Sequence, residues 1–466
     1  MKLYSPAFLY SATIPSGFAF GTEGPTDQEV MDSFLQKLSR KNSWMKYGDK
    51  NKVRVWVQGA VHGNEPGSDQ AVMALLGALD SNQTWAHSLL EQLDIFVLPR
   101  YNPDGVYYFQ DRLATNFDPN RDHTKVARKH TKNIKSELVK FAPHVAVDMH
   151  EYTATRQYGR WYHGSDALFA PAKNLNVHKN IRALGEGLFS TNIEAALEAK
   201  GLRWETYVTG TAGKDLDMAV TFTEAGSDAK IGRNAIGLTQ AVAFLSETRG
   251  IQLADQHFQR RVATGLTLVS SILQTAADHA SEVYSIVEES IDDFISGWES
   301  DEIVITDSPV LTNRTFTLID VTNGSLVQGP VQFRSTSPVV ANLTRIRPEA
   351  YLIPAGWADL AKRLQYLGLV VEVLDKSWTG KVEALNITSC KFGSKYYEGA
   401  VRARVTADVH VKEVKLPVGS FYITTRQKNA AMAFMALEPE NIDSFASFNI
   451  IAFDVGDEYQ IYRLMT

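Results

Sequence analysis

Two histidines and one glutamate have the types and positions needed to share a metal ion. His62 and Glu65 are three residues apart in segment 61–67, whose glycines allow the backbone to turn sharply. His150 directly follows the predicted strand 145–149. Two imidazole nitrogens and one carboxylate, with a fourth position open for water, form the ligand set of a catalytic zinc site. The His-x-x-Glu spacing is uninformative by itself, so this hypothesis requires a fold that brings the two segments together.

Other polar residues could complete a hydrolytic site. Glu247 lies just after the apolar run 241–245, and a carboxylate beside a metal-bound water is the expected general base. Arg112 and Arg121 lie in loop-like segments, and arginine can grip a carboxylate or stabilise an oxyanion. For either arginine alone, a surface salt bridge is the alternative. For His150 alone, the alternative is a hydrogen-bonded structural histidine.

The elements that must position these residues alternate between strands and helices. Alternating valines predict a strand at 53–57, and short, mostly apolar segments predict strands at 95–98, 145–149 and 241–245. Helical patterns occupy 28–38, 133–140, 167–199 and 257–295, a further helix follows the 61–67 turn, and turn residues predict a loop at 99–105. This alternation indicates an α/β fold, a sheet with helices on both faces. In such sheets the ligand site lies at the carboxyl ends of the strands.

The composition changes after the long helical region. From about residue 305 the chain is rich in Thr, Val, Ser and turn residues, which predicts short strands. We therefore expect two domains: 1–305, carrying the candidate site, and 306–466, a β-rich accessory domain without an assigned role.

Charge and cysteine content exclude several classes of function. Lys plus Arg number 47 against 53 Asp plus Glu, so no basic surplus is available to neutralise the phosphates of a nucleic acid. The single cysteine, Cys390, excludes an intrachain disulfide and a zinc site built from several thiolates. No apolar run approaches the roughly 18 residues that a membrane helix needs.

The order of the motifs is more specific than any one of them. His-x-x-Glu at 62–65 is followed by Asn-Pro-Asp-Gly at 102–105, Arg112, Asp-x-Asn-Arg at 118–121, His150 and Glu-x-Arg at 247–249. In this order the chain resembles the carboxypeptidase A-like zinc metallocarboxypeptidases. It most closely resembles their secreted fungal branch, often called carboxypeptidase 2, and this likeness extends to stretches such as 437–446.

The resemblance implies a fold and a metal centre. The sheet is expected to be mixed and mostly parallel, with flanking helices. One zinc ion per chain is expected on His62, Glu65 and His150. Asp118 matches the carboxylate that orients the first zinc histidine, and Glu247 matches the general base.

The resemblance also assigns the residues that contact substrate. Arg112 would stabilise the tetrahedral oxyanion, while Asn120 and Arg121 would hold the terminal carboxylate of a peptide or protein. This carboxylate grip implies an exopeptidase. Two departures leave the preferred side chain open: Asn64 replaces a family arginine, and segment 224–234 lacks the family's tyrosine, with Arg233 and Asn234 as candidate replacements.

Two alternatives remain at this point. A zinc deacylase of N-acyl amino acids would need the same residues, and a catalytically inactive peptide-binding protein would be expected to lack a ligand or the base. The resemblance predicts a secreted monomer, and five Asn-x-Ser/Thr sites predict a glycoprotein. The start of the chain has no convincing signal peptide, from which we expect a truncated N-terminus. In a secreted protein, the unpaired Cys390 is expected to be buried.

Overall fold

The computed structural model describes residues 52–297 and 302–465 of the 466-residue chain. Its strands are, in chain order, β1 (Val53–Gln58), β2 (Leu93–Leu98), β3 (Val145–Thr153), β4 (Trp161–His163), β5 (Ala167–Pro171), β6 (Trp204–Thr206), β7 (Val208–Gly210), β8 (Thr221–Glu224), β9 (Val242–Ile251), β10 (Glu302–Asp320), β11 (Leu326–Ile346), β12 (Ala350–Ile353), β13 (Glu372–Val373), β14 (Trp378–Tyr397), β15 (Ala400–Leu416), β16 (Phe421–Thr424) and β17 (Glu458–Leu464). Its α-helices are α1 (Pro66–Ser81), α2 (Gln83–Gln92), α3 (Pro103–Tyr108), α4 (Lys129–Phe141), α5 (Lys179–Leu184), α6 (Ser190–Ala199), α7 (Gly232–Gly237), α8 (Phe258–Asp278), α9 (Ala280–Ser296), α10 (Ala358–Tyr366) and α11 (Ala430–Leu437).

Six strands form the sheet that carries the candidate site, in the order β2-β1-β3-β9-β5-β6. β2, β1, β3 and β9 run parallel to one another, whereas β5 is antiparallel to β9. The four strands predicted from apolar runs correspond to β1, β2, β3 and β9. The predicted fold class, a mixed and mostly parallel sheet flanked by helices, is confirmed.

Helices cover both faces of this sheet because successive side chains on a strand point to opposite sides. On one face, Val57 packs in a large hydrophobic cluster that includes Leu75 of α1. On the other face, the ring of Trp56 stacks on Phe96 with centroids 4.1 Å apart, and Leu138 of α4 joins the same cluster. The sheet is therefore a rigid layer between two groups of helices.

Two further sheets include strands from the C-terminal part. One has the order β4-β10-β11-β8-β7, and the other, β13-β16-β12-β17-β14-β15, is antiparallel throughout. The predicted domain boundary near residue 305 falls within β10, and β10 and β11 pair with β4 and β8 from the N-terminal part. The division into 1–305 and 306–466 stays a prediction.

Three local predictions are wrong. Residues 167–171 form the buried strand β5 instead of a helix, because a short apolar run is compatible with both. The predicted loop 99–105 contains the start of α3, where Pro103 occupies the first turn and the Asn102 side chain accepts a hydrogen bond from the backbone of Gly105. Cys390 is only half-buried, because it lies on β14 at the margin of the large cluster.

The other helical predictions divide into three cases. Segment 133–140 lies within α4, and segment 257–295 contains two helices, α8 and α9. Segment 28–38 lies outside the described residues. None of the helices in the described ranges is both long enough and apolar enough to cross a membrane.

Candidate active site

The turn after β1 places His62 and Glu65 side by side. The hydroxyl of Ser68 accepts a hydrogen bond from the backbone of Ala60 at 3.0 Å and donates one to the carbonyl of Glu65 at 2.7 Å, so it closes the turn. Gly63 is required here, since a Cβ would come within 1.8 Å of neighbouring backbone. Nδ1 of His62 lies 2.8 Å from Oε1 of Glu65.

The third predicted ligand comes from β3. Nδ1 of His150 lies 3.0 Å from Oε2 of Glu65, and the two histidine rings are 4.9 Å apart between centroids. One donor atom from each of His62, Glu65 and His150 lies within 4.8 Å of the others. The structure therefore brings the three predicted ligands to one point.

Each histidine has an aspartate carboxylate close to its other ring nitrogen. Oδ1 of Asp118 lies 3.1 Å from Nε2 of His62, and Oδ1 of Asp148 lies 3.2 Å from Nε2 of His150. Asp148 was not predicted from the sequence. Asp148 and His150 are two residues apart on one strand and therefore share a face, so this spacing could have identified the aspartate. With each Nε2 next to a carboxylate, each Nδ1 is directed to the common point.

Charge in this cluster shifts the pKa values strongly. Burial, the largest effect, would lower the pKa of His62, but the Glu65 and Asp118 carboxylates outweigh burial and raise it to about 9. The pKa of His150 is also raised, because Asp148 and Glu65 outweigh its burial. Burial would raise the pKa of Glu65, but the two histidines lower it to about 2. The cluster therefore favours a positive charge at its centre.

These donors fit a zinc ion. Two imidazole nitrogens and a carboxylate match the protein ligands of catalytic zinc sites, which leave one position for water. A carboxylate beside the other ring nitrogen of each histidine also matches the outer contacts typical of such sites. The fit therefore rests on the chemistry and direction of the donors.

Glu247 lies beside the cluster on the neighbouring strand. In the parallel pair β3–β9, His150 is directly opposite Glu247. Burial raises the pKa of Glu247, and the Glu65 carboxylate adds to this shift while His150 opposes it. A buried carboxylate of raised pKa next to a metal-ligand cluster is suited to accept a proton from water.

The predicted substrate-binding residues lie in the segment between α3 and α4. Arg112 donates a hydrogen bond from Nη1 to Oε1 of Glu398 at 2.8 Å. The side-chain oxygen of Asn120 accepts from the backbone of Gly232 at 2.7 Å, so its amide NH2 group is the part available as a donor. Nη1 of Arg121 lies 3.7 Å from Asp118, and the Arg121 side chain is one-third exposed.

Arg233 and Asn234, the candidate replacements for the family's tyrosine, both make hydrogen bonds within their own segment. Asn234 is fully buried, and its amide donates to the carbonyls of Gly226 and Asp228, which gives it a structural role. Arg233 likewise donates to the carbonyl of Gly226. Tyr207 is a further residue near the site that the sequence did not predict. Burial raises the pKa of its phenol, and the nearby Glu247 carboxylate raises that pKa further.

Comparison with known proteins agrees with this geometry. Residues 35–169 match the zinc carboxypeptidase family. The chain is 49% identical to carboxypeptidase 2 of Trichophyton equinum and of Trichophyton rubrum, with 99% of this chain and 91% of each relative covered. It is 48% identical to the probable carboxypeptidase 2 of Arthroderma benhamiae, with 95% of this chain and 89% of the relative covered. The chain therefore belongs to the zinc carboxypeptidase family, as a metallocarboxypeptidase.

Proposed function

We propose that this metallocarboxypeptidase releases the C-terminal residue of peptides at one zinc site held by His62, Glu65 and His150. The observation that supports this proposal is the convergence of both Nδ1 atoms on the Glu65 carboxylate, with Glu247 opposite His150. When bound there, zinc supplies a Lewis acid and lowers the pKa of a water molecule.

Glu247 acts as the general base. Its burial raises its pKa, so the ionised carboxylate accepts a proton more readily than an exposed glutamate does. Glu247 takes the proton of the attacking water and then passes it to the leaving amine. Its fixed place opposite His150 keeps the carboxylate at the cluster during both transfers.

Three side chains bind the substrate. Arg112 donates to the oxyanion that forms as the carbonyl is attacked, where a preorganised cation has its largest effect. Asn120 and Arg121 hold the terminal carboxylate, Asn120 through its amide NH2 group and Arg121 through its guanidinium. Since an internal peptide bond has no such carboxylate, this grip restricts cleavage to the chain end.

The two alternatives are less well supported. A deacylase of N-acyl amino acids is not favoured, because the relatives that match almost the whole chain are named carboxypeptidases. An inactive binding protein is expected to lack a ligand or the base, whereas His62, Glu65, His150 and Glu247 lie together here.

We also propose that the protein is a secreted, glycosylated monomer. The asparagines of all five Asn-x-Ser/Thr sites are exposed, which supports glycosylation; they are Asn82, Asn313, Asn323, Asn342 and Asn386. Treatment of the native protein with an N-glycosidase should reduce its mass. An unchanged mass would contradict the glycosylation proposal.

A matched set of substrates tests the exopeptidase reaction. We expect the zinc-loaded protein to release the last residue of an N-blocked peptide, measured by mass spectrometry. The same peptide with an amidated C-terminus should resist, because Asn120 and Arg121 have no carboxylate to hold. Release from N-acetyl amino acids but from neither peptide would contradict the proposal.

A substitution tests the base. Glu247→Gln should lower kcat/KM by about 10²–10⁴-fold while zinc content stays the same, because the amide cannot accept the proton. Glu372→Gln, at an exposed glutamate of β13, is the matched control and should leave kcat/KM unchanged. Activity of Glu247→Gln equal to that of the control would refute the assignment.

A further inference from the structure

The turn between β14 and β15 reaches the candidate site from the C-terminal third of the chain. Tyr397 pairs with Ala400, so Glu398 and Gly399 form a two-residue turn, with φ values of 48° and 96°. Turns of this type favour Asn, Asp and Gly at both positions. Glutamate is unfavourable in this left-handed conformation, so its presence indicates a role for its side chain.

Both carboxylate oxygens of Glu398 contact site segments. Oε1 accepts a hydrogen bond from Nη1 of Arg112 at 2.8 Å, and Oε2 accepts one from the backbone of Asp118 at 3.0 Å. Only 3% of the Glu398 side chain is exposed. One buried carboxylate therefore connects the candidate oxyanion arginine with the loop that orients His62.

Packing holds the turn in this position. A Cβ at Gly399 would lie 3.2 Å from the ring of Phe117, the residue before Asp118, so the turn rests directly on that ring. The guanidinium of Arg128 also packs on this ring, with its central carbon 3.2 Å from the ring centroid. The loop that contains Phe117 is thus fixed by packing as well as by Glu398.

We propose that Glu398 is a positioning residue of the hydrolytic site: its carboxylate, anchored by the backbone of Asp118, fixes the Arg112 guanidinium in its active geometry. This inference rests on the proposed role of Arg112. Within the described part of the chain, the side chain of Arg112 makes its hydrogen bonds through Nη1, which leaves Nη2 for the oxyanion. Because the long, flexible side chain of Arg112 is already ordered before the reaction, less conformational entropy is lost when the transition state forms.

A double-mutant cycle on the full-length, zinc-loaded enzyme tests this inference. Glu398→Gln keeps a hydrogen-bond acceptor but removes the charge, so we expect kcat to fall about tenfold or more with KM changed less than about twofold. This loss should stay below the roughly 10²–10³-fold that removal of an oxyanion donor causes, which we expect for Arg112→Ala. In the Arg112→Ala background, Glu398→Gln should lower kcat no further. Glu413→Gln, at an exposed residue of β15, is the control and should match the wild type.

The outcomes separate the two proposals. If Arg112→Ala leaves kcat unchanged, the role of Arg112 in the proposed function fails, and the role of Glu398 fails with it. If Arg112→Ala lowers kcat and Glu398→Gln does not, only the positioning role fails. An equal loss from Glu398→Gln with and without Arg112 indicates general damage and also overturns that role. Glu398→Asp suits the turn and keeps the charge on a shorter side chain, so it should lower kcat even if Glu398→Gln does not fold; an unchanged kcat would overturn the inference.

Discussion

Asp118→Asn tests whether orientation of a histidine controls zinc binding. Oδ1 of Asp118 lies 3.1 Å from Nε2 of His62 and accepts a hydrogen bond from the backbone of Asn120 at 2.7 Å. Asparagine has nearly the same shape and keeps one acceptor oxygen, but it removes the negative charge beside the ring. Loss of such a partner lowers metal affinity by about 10–100-fold, or about 1.4–2.8 kcal/mol.

The size of this loss should depend on pH, because protons compete with zinc for His62. Burial opposes the imidazolium charge, but Glu65 and Asp118 together raise the pKa of His62 to about 9. At pH 7, zinc binding at His62 would therefore displace a proton, at a cost of about 2 kcal/mol relative to pH 9. Asp118→Asn lowers that pKa, so the variant loses less affinity to protons at pH 7. We expect the full loss at pH 9 and a smaller loss at pH 7.

Competition with a fluorescent zinc chelator measures both quantities. The wild type, Asp118→Asn and a control, Asp408→Asn, are titrated at pH 7 and at pH 9. Asp408 is exposed on β15, so its substitution should leave zinc affinity unchanged. An unchanged affinity of Asp118→Asn at pH 9, or an equal loss in the control, would refute the reasoning.

Three other expectations follow from the same structure. In the zinc-free protein, the unfolding temperature should fall between pH 6.5 and 9. Protonated His62 stabilises the fold fully below its unfolded pKa of 6.5, and this stabilisation is lost as pH rises through about 9. An unfolding temperature that stays constant over this range would contradict the expectation. Arg261→Leu should lower the free energy of unfolding by about 3–5 kcal/mol. Arg261 lies 2.8 Å from the Glu151 carboxylate, and the substitution leaves this carboxylate buried without its cation. A loss below about 1 kcal/mol in denaturant titration would be inconsistent with this reasoning. Gly63→Ala should weaken zinc binding, because the added Cβ would clash with backbone atoms. Gly77→Ala, in α1 with nothing within 4 Å of the added Cβ, should instead raise the free energy of unfolding by about 0.5–1 kcal/mol. Similar effects of the two variants in zinc titration and thermal unfolding would rule this out.

The sequence was sufficient to predict the elements that carry the metal-ligand cluster. The alternating valines before His62 and the mostly apolar residues before His150 and Glu247 are sufficient to identify β1, β3 and β9. Parallel strands in one sheet place their carboxyl ends at one edge, so the three residues were expected to meet. The strand β5 was missed, since five buried apolar residues show no periodicity that separates a strand from a helix.

Contacts between distant segments could not be predicted in this way. Asp148 and His150 share a strand, so a period of two could have identified the aspartate. Glu398 is different, since it lies 286 positions after Arg112 and 280 after Asp118, and nothing local in the sequence connects them. Its unusual turn conformation becomes visible only once β14 and β15 are paired.

These distant contacts divide the support of the site between the two parts of the chain. His62 and Glu65 lie in the turn after β1, and His150 and Glu247 lie on β3 and β9, so the main chain that carries the proposed ligands and base belongs to the N-terminal part. The substrate side is different: Glu398 holds Arg112, and the buried carboxylate of Asp443 accepts a hydrogen bond from the backbone of Lys230 at 3.0 Å. Lys230 is two residues before Gly232, whose backbone N–H fixes the side chain of Asn120. The proposed oxyanion residue Arg112 and the proposed carboxylate-binding residue Asn120 are therefore both supported from the C-terminal third, so changes there should lower substrate turnover.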